Sequence, residues 1–511
     1  MRDTINTSVY LPVDITIQGD SCLDNPFFVD VRGVFSGPNG ESMVIPGFYN
    51  GRSWIVRFSP TTPGEWIYRI ISQHLTLDDA EGTVRVGENG NGNIHGRLLI
   101  NPSHPHHFVY EDGTPYFLFA YEADWLWAPG LGDPEIVKVR ELIDQIKDYG
   151  FNHILVNVYA HDCTWRSGKT SDKDYGPPDL YAWEGSNEKP DHSRLNSFFF
   201  ENFDRMMRYL LENGIVAHIM YKVYNKMVNW PERNSPEEDL YFRYVTARYQ
   251  AFPNVLWSFA KESKNEPDKA YLANRIHYVC ALDAYEHPIT THDDQIFYAA
   301  EDWNRTIDFC TLQIHDEFYL SALREREKRA WPIFNSEFGY EHGPGGPEDL
   351  TYRVGQCPEE LIRRAYDVVM AGAYPAYYYT YTAWDVIDYS HVPPGYGYFK
   401  ILYDLFTSLE WWNLQPHPEF CKGPARCLAI PGRQYLFYVK EPSDRRAHIM
   451  ARVDALSEYT GFFMNIYTGE RTKANIREIF VARGNGLYRL EAPLTSYGSD
   501  PFVLYMSKEG G

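Results

Sequence analysis

The sequence is poor in cysteine, in long apolar runs and in basic residues, and each shortage narrows what the chain can be. Its seven cysteines are odd in number and scattered with no CxxC pair. That usage fits reduced thiols better than a disulfide framework. No stretch reaches the roughly 18 apolar residues of a membrane-spanning helix. The opening MRDTINTSVYLPVDITIQGD lacks the apolar core of a secretory leader. These absences together predict a cytoplasmic protein. Lys and Arg number 48 against 69 Asp and Glu, a net charge of −21. Such a field repels polyanions, so nucleic acid and membrane surfaces are excluded as partners, and a strongly acidic polysaccharide would need a local basic pocket. There is no P-loop and no strand–GxGxxG–helix fingerprint, so no nucleotide cofactor is indicated. Neither a fixed-period repeat nor a low-complexity tract occurs.

Aromatics are abundant: 40 Tyr, 29 Phe and 13 Trp. Tyr and Trp pair a flat apolar face with a polar edge. Sugars present the same pairing, with C–H faces and hydroxyl rims. Most of these rings must still fill cores and sheet faces.

At 511 residues the chain exceeds one ordinary domain. Residues 1–97 read as an N-terminal β-sandwich. The runs PFFVDVRGVFSG, SMVIPGFYNG, SWIVRFSP and EWIYRIIS are short, rich in β-branched and aromatic residues, and punctuated by Gly, Pro and Asn. Apolar and polar residues partly alternate in WIVRF and EWIYRI, as in a sheet with one face buried. GENGNGNIHG (87–96) forms a linker-like break.

Residues 98–416 change pattern. Short apolar runs alternate with amphipathic stretches, the mark of βαβ units and a parallel sheet. Eight strands are predicted, at 117–125, 153–160, 216–224, 255–262, 288–293, 309–316, 332–338 and 376–384. Eight closes a (β/α)8 TIM barrel. Helix punctuation agrees: Asp133-Pro134 caps one start, Gly150 follows its end, and Cys357-Pro358 opens another. Phe203, Met206, Met207, Leu210 and Leu211 keep a helical stripe before Asn213-Gly214. Residues 417–511 return to short β runs and read as a C-terminal β-sandwich. The fold class is therefore α/β, a barrel flanked by two β-sandwich domains. Those domains could cover the barrel, bind sugar or join like chains into a homo-oligomer.

Active sites of such barrels sit at the C-terminal ends of the strands. Strand four ends in Lys261-Glu262 and strand seven in Asn335-Ser336-Glu337. Two Glu from opposite sides of a barrel mouth are what glycoside cleavage needs. One protonates the leaving oxygen while the other attacks the anomeric carbon, and a separation of about 5 Å retains configuration. Among 69 acids, strand-end Glu also arise by chance. The strings around these two decide for function.

NVLWSFAKE (254–262) resembles the clan A glycoside hydrolase motif that ends in Asn-Glu, with Glu as acid/base. PIFNSEFGYE (332–341) is similar to the clan's strand-seven motif, whose Glu is the nucleophile. The three-part layout resembles a bacterial group of candidate glycosidases related to the apiosidases. WIVRFSPTTPGEWIYRI (54–70) is similar to the signature of that group's N-terminal domain. The resemblance covers nearly the whole chain. It implies a retaining, cofactor-free glycoside hydrolase with Glu262 as acid/base and Glu337 as nucleophile. It leaves the sugar open.

One departure matters. The clan's Asn, which hydrogen-bonds the sugar 2-hydroxyl, is here Lys261. A cation within about 4–6 Å would lower the pKa of Glu262, the wrong direction for a general acid. Either Lys261 points at the substrate or another influence raises Glu262.

The resemblance also implies a substrate- or nucleophile-contacting ring at His315 and a sugar platform at Trp384. Other polar residues at strand ends are candidate substrate contacts. They are Asp124 and Trp125 on strand one, Asn157, Tyr159 and His161 on strand two, Tyr221 and Lys222 on strand three, and His292 and Asp293 on strand five. Tyr340 and Asp385 follow strands seven and eight.

Two other readings compete. A metal-dependent hydrolase would gather His292, His315 and an acid around one ion, but a catalytic zinc wants three converging ligands and no HxH ends strand one. The cluster His104-Pro105-His106-His107 lies in a Pro-rich turn outside the barrel, so no metal is assigned. A non-catalytic carbohydrate-binding protein is the third reading, with Lys261 as its best argument. The partner expected on the first and third readings is a carbohydrate. A cytoplasmic setting favours exo action on a short oligosaccharide or glycoside.

Overall fold

A computed structural model describes residues 3–508 except 20–23, 75, 78, 162–168, 170, 293–305, 348–354, 443–447 and 492–497. The N-terminal strands form a five-stranded and a three-stranded sheet. Their rings interlock: Phe35 of the larger sheet stacks on Phe58 of the smaller at 4.0 Å, and Trp66 packs beside them. The strand Gly64–Ser72 alternates buried and exposed positions as predicted. The strand Trp54–Phe58 does not, because every residue of it is buried. Its outer face lies on the barrel. Arg57, 2% exposed, reaches Asp14 and Asp204 at 2.7 and 2.9 Å and donates to the carbonyl of Arg248.

Eight parallel strands make the barrel: β1 Ala120–Glu122, β2 His153–Asn157, β3 Val216–Val223, β4 Val255–Lys261, β5 Ile289–Thr290, β6 Cys310–Gln313, β7 Ile333–Glu337 and β8 Tyr374–Tyr377. The ladder runs β5-β4-β3-β2-β1-β8-β7-β6. The ring closes between β5 and β6, where the Asp308 amide donates to Ile289 O at 2.9 Å and Thr290 Oγ1 meets Thr311 Oγ1 at 3.0 Å. All eight predicted strands are present. The eighth is displaced: its ladder ends at Tyr377, Tyr379 makes one isolated parallel bridge to Glu341, and the chain then turns.

The outer layer comprises α1 Val137–Asp148, α2 Ser197–Glu212, α3 Pro236–Tyr249, α4 Lys269–Leu282, α5 Phe318–Lys328, α6 Pro358–Met370 and α7 Pro394–Thr407. The helical stripe of α2 is wholly buried. α1 begins three residues later than the Asp133-Pro134 pair suggested. The Asp133 carboxylate instead accepts from the Glu135 and Val137 amides, forming a turn before the helix. Gly150 ends that helix at φ +89°, where a Cβ would come within 2.7 Å of the Tyr403 ring. After the barrel, six-stranded and four-stranded antiparallel sheets enclose a separate core around Phe437, Phe463 and Leu504. Among the described residues no helix is long and apolar enough to cross a membrane.

Candidate active site

Glu262 follows the last residue of β4 in the left-handed conformation, φ 59°. A non-glycine residue there is strained and persists only where its surroundings hold it. The hold is visible: the Ser263 amide and hydroxyl both donate to His292 O, and the His292 amide donates to Ala260 O. The ends of β4 and β5 are thus stapled together beneath Glu262.

Glu262 and Glu337 both line one cavity of about 480 Å³ at the C-terminal mouth of the barrel. Gln313, the last residue of β6, donates from Nε2 to Glu262 Oε1 at 3.0 Å. Lys264 Nζ lies 3.5 Å from Glu262 Oε2. Tyr340 donates its hydroxyl to Glu337 Oε1, and Tyr378 donates to Oε2 at 3.3 Å. His292 Nε2 is 3.7 Å from the same oxygen. Burial and the Lys261 ammonium hold this imidazole well below its usual pKa, so it is neutral. Burial pushes the Glu337 carboxyl up to about 7; Lys261 opposes the rise, while the Glu262 and Asp124 charges add to it. The rings of Tyr340 and Trp384, 5.2 Å apart, form an apolar wall. His315 sits at the exposed rim, 6.1 Å from Tyr340.

Lys261 faces the cavity but not Glu262. Its Nζ ends between two strand-one carboxylates, 2.7 Å from Glu122 Oε1 and 2.8 Å from Asp124 Oδ2. Lys261 thus lines the cavity from within a buried ion triad that engages Asp124. Asn157 is buried at the end of β2, and its side-chain amide has no hydrogen-bond partner among the described residues.

Six expected contacts lie elsewhere. Trp125 stacks on Trp127 in the core. Tyr159 packs on Trp127 and hydrogen-bonds His161 in an aromatic cluster beside the mouth. Tyr221 bonds Thr246 of α3 at 2.8 Å, and Lys222 pairs with Glu238 of α3 at 2.6 Å and Tyr271 of α4 at 3.0 Å. Both therefore serve the barrel–helix interface. Asp385 is buried against Gly176 and does not line the cavity. Asp293 lies outside the described residues. His106 and His107 are occupied by Trp331 O and the Tyr374 hydroxyl. Among the described residues no three His, Cys, Asp or Glu side chains are grouped to hold a metal ion.

Sequence reading missed Gln313, Tyr378, Asn225, Lys226, Gln356 and Arg364, all in or bordering the cavity. Gln313 was within reach, as the inward residue two places before His315. Gln356 and Arg364 carry no strand-end signal. They arrive because Gly339, at φ +153°, leaves no room for a Cβ beside them.

A family model described as Apiosidase-like, catalytic domain, matches residues 103–416. A second, a domain of unknown function, matches residues 6–73. Among curated proteins none matches this chain in sequence. The crystal structure of a candidate glycoside hydrolase from Bacteroides vulgatus is 18% identical, with a TM-score of 0.78 over 99% of this chain and 100% of that one. A glycoside hydrolase family 5 protein from Bacteroides vulgatus is 15% identical, with a TM-score of 0.57 over 82% of this chain and 94% of that one. At such identities the likeness establishes the fold: a parallel barrel with β-domains at both ends.

Proposed function

The chain belongs to the Apiosidase-like catalytic-domain family, and from that premise we propose that it is a retaining glycosidase in which Glu337 attacks the anomeric carbon and Glu262 serves as acid, then base. The observation that carries the reading is the shared cavity: two glutamates from the ends of β4 and β7 face one space, with Gln313 bonded to Glu262.

In the first step Glu262 gives its proton to the glycosidic oxygen as Glu337 forms a bond to carbon, leaving a glycosyl ester. In the second, Glu262 takes a proton from water as water displaces Glu337. Gln313 orients the acid/base by donating to its Oε1, and Tyr340 and Tyr378 steady the nucleophile. Trp384 and Tyr340 supply the flat apolar surface on which a sugar's C–H face rests. A cavity of about 480 Å³ suits a short glycoside, which supports exo action. Because Glu337 must be an anion to attack, kcat/KM is expected to climb with pH up to about 7. The free thiols of the described cysteines support a reducing compartment.

The test is a hydrolysis screen over aryl pyranosides, aryl furanosides and plant and bacterial oligosaccharides, with wild type and Glu337→Ala in parallel. Release of one sugar by wild type, reduced about a thousandfold in the variant, supports the reading; that ratio is roughly 4 kcal/mol of transition-state stabilisation. Activity that survives in Glu337→Ala overturns the nucleophile assignment.

A further inference from the structure

The proposed reaction gives Lys261 no role. It lies 2% exposed at the end of β4, one residue before the acid/base. Taking an ammonium and two carboxyls out of water is costly, and apolar residues of the same volume often serve stability better. A fully buried triad beside a reactive carboxylate therefore invites a functional explanation.

The geometry supplies one. Nζ is fixed between Glu122 and Asp124 at 2.7 and 2.8 Å, so it is not a mobile arm that could swing into solvent. The same Nζ lies 5.5 Å from the centroid of the Tyr378 ring. The Tyr378 hydroxyl donates to Glu337 Oε2 at 3.3 Å. Tyr378 thus stands between the triad and the nucleophile. The cation that reaches Glu262 is Lys264, at 3.5 Å, which leaves Lys261 to the other side of the site.

Burial and the neighbouring Asp124 push the Glu122 carboxyl well above the usual carboxylate range, while Lys261 opposes the rise. Burial pulls Lys261 down, but Asp124 and Glu122 more than offset this and hold it charged. Among the described residues, the charged and titratable groups facing Glu337 are Lys261, Glu262, Asp124, His292, Tyr340 and Tyr378. His292 is neutral, so Lys261 is the cation among them.

We propose that Lys261 is a positioning residue: clamped by Glu122 and Asp124, its ammonium acts across Tyr378 to favour the anionic form of Glu337, the form that attacks. The inference rests on the reading of Glu337 as nucleophile, and its test needs no substrate, so the two can fail separately. The full chain is labelled with [δ-13C]glutamate, the Glu337 resonance is identified by its loss in Glu337→Gln, and its titration midpoint is measured by NMR. In Lys261→Met the midpoint rises by about one unit or more, the usual effect of removing an opposite charge near a carboxylate. Lys261→Arg keeps the charge and stays near wild type. Tyr378→Phe removes a hydrogen-bond donor from Glu337 and raises the midpoint by less than Lys261→Met. An unmoved or lowered midpoint in Lys261→Met overturns the proposal. If that variant does not fold, an unmoved midpoint in Tyr378→Phe overturns it.

Discussion

Lys222 on β3 and Lys261 on β4 are one step apart in the ladder, where Lys222 pairs with Ala260 and Val223 with Lys261. Both are buried, and both end on a carboxylate. Lys222 turns outward to Glu238 on α3 and Tyr271 on α4. Burial draws its pKa below the usual lysine value, with Glu238 opposing. Lys261 turns inward to the end of β1, and its two carboxyl partners keep it charged. The residue type, strand position and burial match, so none of these separates a structural lysine from one in a site. The element that carries the partner does: a helix of the outer layer for one, a neighbouring strand end for the other.

Substitutions sharpen that contrast. The largest effect is expected at the inward site itself. Glu262→Gln should lower kcat/KM by about a hundredfold to ten-thousandfold for glycosides with poor leaving groups, because it removes proton donation. For activated aryl glycosides the loss should be much smaller, and a comparison of leaving groups checks this. On the outward side, Lys222→Met strands Glu238 beside Tyr271 in a buried pocket. It should cost about 3–5 kcal/mol in urea unfolding, as breaking one partner of a buried pair does, while the pH profile of kcat/KM stays unchanged. A moved acidic limb in Lys222→Met would break the comparison.

A smaller effect runs in the opposite direction. The Glu337 carboxyl rises from 4.5 in the unfolded chain to about 7 in the fold. The folded state therefore holds a proton that the unfolded state has released, and stability contributed by this group falls as pH rises from 4.5 to about 7. Glu337→Gln lacks that slope. It should be more stable than wild type by about 1–3 kcal/mol at pH values above about 7, with the gain vanishing in acid; thermal melts across pH check it. The smallest effect is expected for Tyr221→Phe. Losing the bond to Thr246 should cost about 1 kcal/mol of stability and leave kcat unchanged.

The barrel was legible because its strands are short apolar runs set between amphipathic helices, a pattern that burial on both faces imposes. The two glutamates were legible because Glu262 and Glu337 close runs of that kind. What the alternation of strand residues did not reveal is which side of the sheet each polar end would take. Tyr221 and Lys222 look like mouth residues in sequence and serve the helical layer instead. Trp125 and Tyr159 sit at the correct end of the barrel but pack on Trp127. Gln313 was passed over for His315 because the visible polar pair in LQIHD lies beyond the true strand end. The partners of Lys261 lie 137 and 139 residues away in the chain, a separation that local pattern does not span. The strand Trp54–Phe58 reads as half-buried and is buried on both faces, since Arg57 meets a carboxylate of α2.

The measurement that tests the central claim most directly is trapping of the glycosyl-enzyme. A 2-deoxy-2-fluoro glycosyl fluoride of the sugar identified by the screen slows the second step, so a retaining enzyme accumulates as a covalent ester. Intact-mass analysis followed by peptide mapping is expected to show a single adduct on the peptide holding Glu337, absent in Glu337→Gln. An adduct on Glu262 or elsewhere, or a first-released sugar of inverted anomeric configuration, would contradict the account.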